Sequence, residues 1–181
     1  MFQKITDNTI TNYEIATPGK HIFYIENISA NITFFITAKR AHVYVYGLYN
    51  GTHDDRYALI ITQIHSAAES KSTTLIKSAL NDQSHFHFTG KIRIEKKARH
   101  AHAELDNHNL LLSEHAHAIS IPQLEVYQNE VTCMHRSSTK PLDPDQLAYL
   151  STRGVTETAA RELLINAFCD EVNKVVQPYF I

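Results

Sequence analysis

A long succession of short strand patterns, unbroken by any helical pattern of ten or more residues, runs from His21 to Val131 and restricts the fold more than any other feature. The segments His21–Ile25, Ile32–Ile36, His42–Tyr46, Tyr57–Ile64, Thr73–Leu80, Phe86–Phe88, Lys91–Glu95, Asn109–Leu112 and Leu124–Tyr127 are rich in Ile, Val, Phe, Tyr and Thr. Many alternate apolar with polar residues, the period of a half-buried strand. In Lys91-Ile92-Arg93-Ile94-Glu95 the isoleucines share one face and the charges the other. Without intervening helices, a parallel sheet built from βαβ crossovers is disfavoured. A sandwich, a barrel and a β-helix remain. Tight hairpins favour Asn-Gly or Asp-Gly, and Asn50-Gly51 is one such candidate in a chain with only five glycines. That scarcity suits a solenoid turning at polar corners such as Asn107-His108-Asn109. No strict repeat is visible, so the pattern alone leaves the three architectures open.

After Val131 the character changes. Asp143-Pro144-Asp145-Gln146 places an N-cap Asp before a Pro at the first helical position, with Gln three residues after the cap. Leu147 and Leu150 follow on one face, and Gly154 stands where a left-handed cap belongs. Thr156 opens a longer helix with an apolar stripe of Ala160, Leu163, Leu164, Ala167, Phe168, Val172, Val175 and Val176, and Pro178 follows its end. The expected organisation is a β core over 1–140 and a helical segment over 141–181.

A formal charge of −2 supplies no field that would draw nucleic acid or an anionic membrane. No apolar run approaches the roughly 20 residues that span a bilayer. The first residues lack a signal pattern, and Cys133 and Cys169 fall in different elements, so a reducing cytoplasm is expected. Neither Gly19-Lys20 nor Gly90-Lys91 completes a phosphate-binding loop, and no nucleophile elbow appears. The histidine pairs also miss the glycine and glutamate spacing of a cupin metalloenzyme. The chain reads as a non-enzyme.

Cys133 and His135 are two apart, so on a strand their side chains leave one face. Thiolate and neutral imidazole are good ligands for iron or zinc, yet two ligands cannot close a tetrahedral site. Further ligands would come from a partner, substrate sulfur or water. Arg136 beside them is expected to favour the thiolate. Cys169 borders the apolar stripe and reads as structural. The pairs His85/His87, His100/His102 and His115/His117 recur every 15 residues, with Phe or Ala on the opposite face, so the imidazoles are expected to point outward.

From Gly90 to Val172 the sequence resembles the SufB/SufD family of iron–sulfur cluster assembly scaffolds. Consecutive elements carry the likeness: Gly90-Lys91-Ile92-Arg93-Ile94, Asn109-Leu110-Leu111-Leu112-Ser113, Pro122-Gln123-Leu124-Glu125-Val126, Val131-Thr132-Cys133-Met134-His135, Leu142-Asp143, Tyr149–Gly154 and Ala160–Phe168. Residues 1–64 match only in being β-rich. The resemblance implies a right-handed parallel β-helix with a two-helix C-terminal segment. It also implies a SufB–SufD pair joined through the β-helix, and a SufC-like ABC ATPase on the C-terminal helices. His135 points to the SufD branch and implies that Cys133 and His135 lie at the subunit interface as candidate iron or transient cluster ligands. Tyr149, Leu150, Arg153, Gly154, Arg161 and Phe168 fall in the segment that would meet the ATPase. Two departures stand out. The usual N-terminal helical region is missing, which suggests a short form, and Arg136 replaces a family glycine. The alternative is a diverged β-helical homodimer or binding module that has lost cluster assembly.

Overall fold

The computed structural model describes residues 1–6 and 10–180. The chain runs through strands β1 (Phe2–Ile5), β2 (Ile10–Ile15), β3 (Gly19–Glu26), β4 (Ala30–Ile36), β5 (Ala41–Gly51), β6 (Arg56–His65), β7 (Lys71–Leu80), β8 (His85–Ile94), β9 (His102–Leu111), β10 (His117–Val126) and β11 (Thr132–Pro141). Helices α1 (Pro144–Thr152) and α2 (Glu157–Val176) and a 3-10 turn at Gln177–Tyr179 follow. Odd strands form one sheet in the order β1-β3-β5-β7-β9-β11, and even strands form the other, β10-β8-β6-β4-β2. Every neighbouring pair is parallel. A chain that alternates between two parallel sheets coils, and the sequence alternatives resolve to the β-helix. Register partners are 20 residues apart at the start (Phe2 with Ile22) and 32 apart near the end (His85 with His117).

Inner faces interlock into one core. Phe34, Ile32, Leu59, Ile61, Phe88, Ile92 and Leu105 are wholly buried. Two expectations about turns fail. Asn107-His108-Asn109 is no corner; it lies within β9. Both asparagines point inward and are buried because their amides find partners. Asn107 and Asn109 bond each other, and Asn109 also accepts from Ser78 Oγ at 2.7 Å and donates to Thr139 Oγ1 at 3.1 Å. Buried polar groups are tolerated on those terms. Asn50-Gly51 makes no hairpin but ends β5, where a Cβ on Gly51 would stand 2.8 Å from Ser84 Cβ.

Corners are instead turned by non-glycine residues at positive φ: Asn27, Arg40, His53, Glu69, Asp82 and His100. Each left-handed residue costs roughly 1 kcal/mol or more. Bonds to the next coil oppose that cost. Asn50 N–H donates to Asn27 Oδ1, His53 N–H donates to Asp82 Oδ2, and Glu69 holds Lys39 and Arg40 at 2.8 and 2.7 Å. Scarce glycine and a tightly turning chain are thereby compatible.

The helices begin as their caps dictate. Asp143 accepts from Asp145 N–H, Thr156 accepts from Ala159 N–H, and Gly154 at φ +82° ends α1. The apolar stripe of α2 divides in two. Phe168, Cys169, Val172 and Val176 pack on Tyr24, Leu48 and Leu75 of the odd-strand sheet, while Leu163 stays half exposed. Buried Lys77 fastens this contact, its Nζ 2.6 Å from Glu171 and donating to Phe168 O at 2.8 Å. Among the described residues no helix is long and apolar enough to cross a membrane.

Candidate functional site

Strand β11 carries Cys133 and His135. It pairs with β9 and is the edge of its sheet, with Cys133 opposite Ala103 and His135 opposite Leu105. Ala103 and Leu105 are wholly buried inner-face residues, so both candidates point into the solenoid rather than out of its flank. They are only half-buried because no described coil covers β11. The same holds on the facing edge. Leu124 and Val126 of β10 align with Ile92 and Ile94, yet they are 49% and 44% exposed where their partners are 0%. The coil is open at this end, and the open rim carries the thiol and the imidazole.

His135 is unusual in its bonding. Among the described residues both ring nitrogens are shielded from solvent and have no hydrogen-bond partner, and the same is true of Ser120 Oγ on the facing strand. Burial pushes the His135 pKa below the ordinary imidazole value, with Asp106 opposing the shift. Burial alone pushes the Cys133 thiol up. Both shifts favour the uncharged forms, thiol and neutral imidazole. Arg136 does not favour the thiolate as expected. It leaves the opposite face of the strand and grips Asp106 through Nε at 2.8 Å and Nη2 at 2.7 Å. The pair presents two borderline-to-soft donor atoms on one face. Among the described residues no cluster of three or more His, Cys, Asp or Glu side chains is arranged to hold a metal. Cys133 and His135 alone offer at most two donor atoms.

The helical candidates separate into two groups. Tyr149, Leu150, Arg153 and Gly154 gather at the α1–α2 corner, with Tyr149 59% exposed and the Arg153 guanidinium 5.3 Å from its ring centre. Tyr149 and Leu150 line an open groove of about 450 Å³ with Leu163, Leu164 and Ala167. Arg161 and Phe168 hold α2 to the β body instead: Arg161 Nη2 donates to Leu112 O at 2.8 Å, and Phe168 packs over Lys77. Cys169 is buried against the sheet.

The histidine pairs do not form one ladder. Fifteen residues is about half a coil, so His85/His87 lie on the even sheet and His102 on the odd one. His102 is held by Glu104 at 2.8 Å. Sequence reasoning missed a different histidine, His65, which sits inside the solenoid with Nδ1 and Nε2 each 2.8 Å from the hydroxyls of Ser70 and Ser72. Its place as the last inward position of an alternating strand was the available signal.

Comparison with known proteins extends the resemblance toward the N-terminus. A family model described as the SUF system FeS cluster assembly, SufBD core domain, matches residues 23–168. The chain is 29% identical over 113 residues to the iron–sulfur cluster assembly protein SufD of Escherichia coli K12, covering 62% of this chain and 27% of that protein. It is 30% identical over 166 residues to an iron–sulfur cluster assembly SufBD family protein of Mycobacterium leprae, covering 85% of this chain and 41% of the relative. A SufBD family protein of Synechocystis is 35% identical over 85 residues, 47% of this chain and 19% of the relative. The chain thus spans less than half the length of these curated relatives. With the core-domain model covering most of its β-helix and both helices' junction, the chain belongs to the SufBD family of SUF-system iron–sulfur cluster assembly proteins.

Proposed function

We propose that this chain is a scaffold subunit, not a catalyst, in SUF-type iron–sulfur cluster assembly, and that it works by completing a site across its open coil. One observation carries the reading: among the described residues, His135 keeps two shielded, unpartnered ring nitrogens beside Cys133 on the inner face of an edge strand. Orphaned buried polar atoms cost about 1–3 kcal/mol each, and an incoming group that bonds them recovers that cost. A SufB-like subunit, or a second copy of this chain, is the proposed occupant of the edge, supplying the remaining donors for iron or a nascent cluster held as cargo. The cysteine loses its proton as metal binds. The exposed α1–α2 corner at Tyr149, Leu150, Arg153 and Gly154 is the proposed seat of a SufC-like ABC ATPase, and the cytoplasm the proposed compartment.

Affinity purification from native extract tests the assembly, with mass spectrometry reading its partners. A SufB-like and a SufC-like chain are expected together. Tyr149→Ala should remove the ATPase while sparing the other partner, and Cys133→Ala with His135→Ala should lower cluster yield in the assembled complex. Recovery of a homodimer alone, with cluster yield untouched by the double variant, would replace this reading with that of a β-helical binding module.

A further inference from the structure

Strand register brings His85 of β8 directly against His117 of β10, on the outer face of the even-strand sheet, with Arg56 of β6 next in the same rung. Their ring centres are 5.1 Å apart. Two imidazoles bound to one tetrahedral ion, with metal–nitrogen bonds of about 2.0–2.1 Å, have ring centres roughly 5 Å apart. The ring-centre spacing, with the ring planes tilted by 35°, is compatible with a shared ion. They line a concave pocket of about 270 Å³ together with His87, Tyr57 and Ile119. Three other histidines are committed elsewhere: His65 to Ser70 and Ser72, His102 to Glu104, His108 to Ser138. Neither His85 nor His117 makes a side-chain hydrogen bond among the described residues. Strand backbone fixes both, so little ordering is needed to bring the two donors together.

We propose that His85 and His117 form a two-histidine site for a divalent first-row transition cation of the zinc, nickel or copper class, completed by solvent, separate from the Cys133–His135 rim. Imidazole pairs favour these ions over magnesium and calcium, which prefer oxygen. Arg56 lines the same pocket, and its charge opposes a cation. That fixes the sign of a control: removing Arg56 strengthens cation binding, whereas an anion site would weaken.

Equilibrium dialysis of the full chain against ZnCl2, and separately NiCl2 and MgCl2, tests the site, with Cys133→Ser as background so that the rim thiol does not compete. About one equivalent of zinc or nickel and no magnesium is expected. His85→Ala and His117→Ala should each weaken zinc binding tenfold or more. His102→Ala should stay within twofold of the background, and Arg56→Ala should tighten binding several-fold. Thermal midpoints confirm that each variant is folded. Zinc uptake indifferent to both histidine substitutions, equal uptake of magnesium, or weaker binding in Arg56→Ala would overturn the proposal.

Discussion

Two inward-facing histidines, one in a middle coil and one at the open end, meet opposite surroundings. His65 is wholly buried between coils and both its nitrogens meet hydroxyls, within a chain of polar groups that runs through Ser72 and Gln63 to Thr74. His135 occupies the corresponding kind of position on β11, and neither nitrogen has a hydrogen-bond partner among the described residues. Burial lowers the pKa of both. What differs is the next coil, which covers His65 and is absent over β11 among the described residues. A covered coil is satisfied and contributes stability. An uncovered one keeps its polar and apolar groups available to another chain.

The sharpest way to break this contrast is to truncate two side chains that share a rung. Ile92 is 0% exposed and Leu124, its register partner, is 49% exposed. Ile92→Ala removes three carbons from a closed core and should cost about 2–5 kcal/mol. Leu124→Ala should cost less than about 1 kcal/mol in the isolated chain, since much of its surface already meets water. Urea unfolding of both variants reads the difference directly. Equal losses would mean that the end coil is as tightly closed as the middle and leaves no face open to a partner.

Acid should find the middle coil next. The His65 pKa falls from an ordinary 6.5 to about 4, mainly because burial penalises the charged ring, with a smaller contribution from His102. The unfolded chain takes up that proton at the higher pH and the folded chain only at the lower one. The contribution is therefore present in full above about 6.5 and is lost as the pH falls toward 4, to an extent on the order of 3 kcal/mol. His65→Ala should lower stability at pH 7 by about 2–4 kcal/mol through the lost packing and hydrogen bonds. It should also flatten the acid limb, so that wild type and variant converge near pH 4. A variant whose stability falls just as steeply between those pH values would assign the acid limb to other groups.

Legibility in the sequence followed the same division. The middle strands β3 to β8 announce themselves through alternating Ile, Val and Phe, because a covered inner face must be apolar. The segments Phe86–Phe88 and Lys91–Glu95 are one strand, β8, in which Thr89 and Gly90 pair with Ile60 and Ile61. Strand β11 gave no such signal: Arg136-Ser137-Ser138-Thr139 has no apolar alternation, since an edge strand at an open rim buries little. Helix caps were readable to the residue because Asp143, Thr156 and Gly154 act through local geometry alone. The polar interior was not. Asn107 and Asn109 look like turn residues until Ser78 and Thr139, each about a coil away, are brought alongside. The Cys133–His135 spacing correctly placed both on one face, but pattern cannot tell which face looks inward. Only register against Ala103 and Leu105 does.

The smallest expected effect is the most discriminating one. His135→Ala deletes a ring whose two nitrogens are shielded and unpaired. A wild-type protein selected for stability alone would not keep such a group, since each unmet polar atom costs about 1–3 kcal/mol. Truncation removes that penalty and also removes ring carbons that are half-buried. The two changes oppose each other, so the isolated chain should stay within about 1 kcal/mol of wild type, on the stabilised side. In the proposed complex the same substitution would remove a donor from the rim and should weaken assembly. Opposite signs in the free chain and the complex would separate a group held in reserve from one that merely packs. If His135→Ala instead destabilises the free chain by as much as His65→Ala, its nitrogens are already satisfied there, and the open coil holds nothing back for a partner.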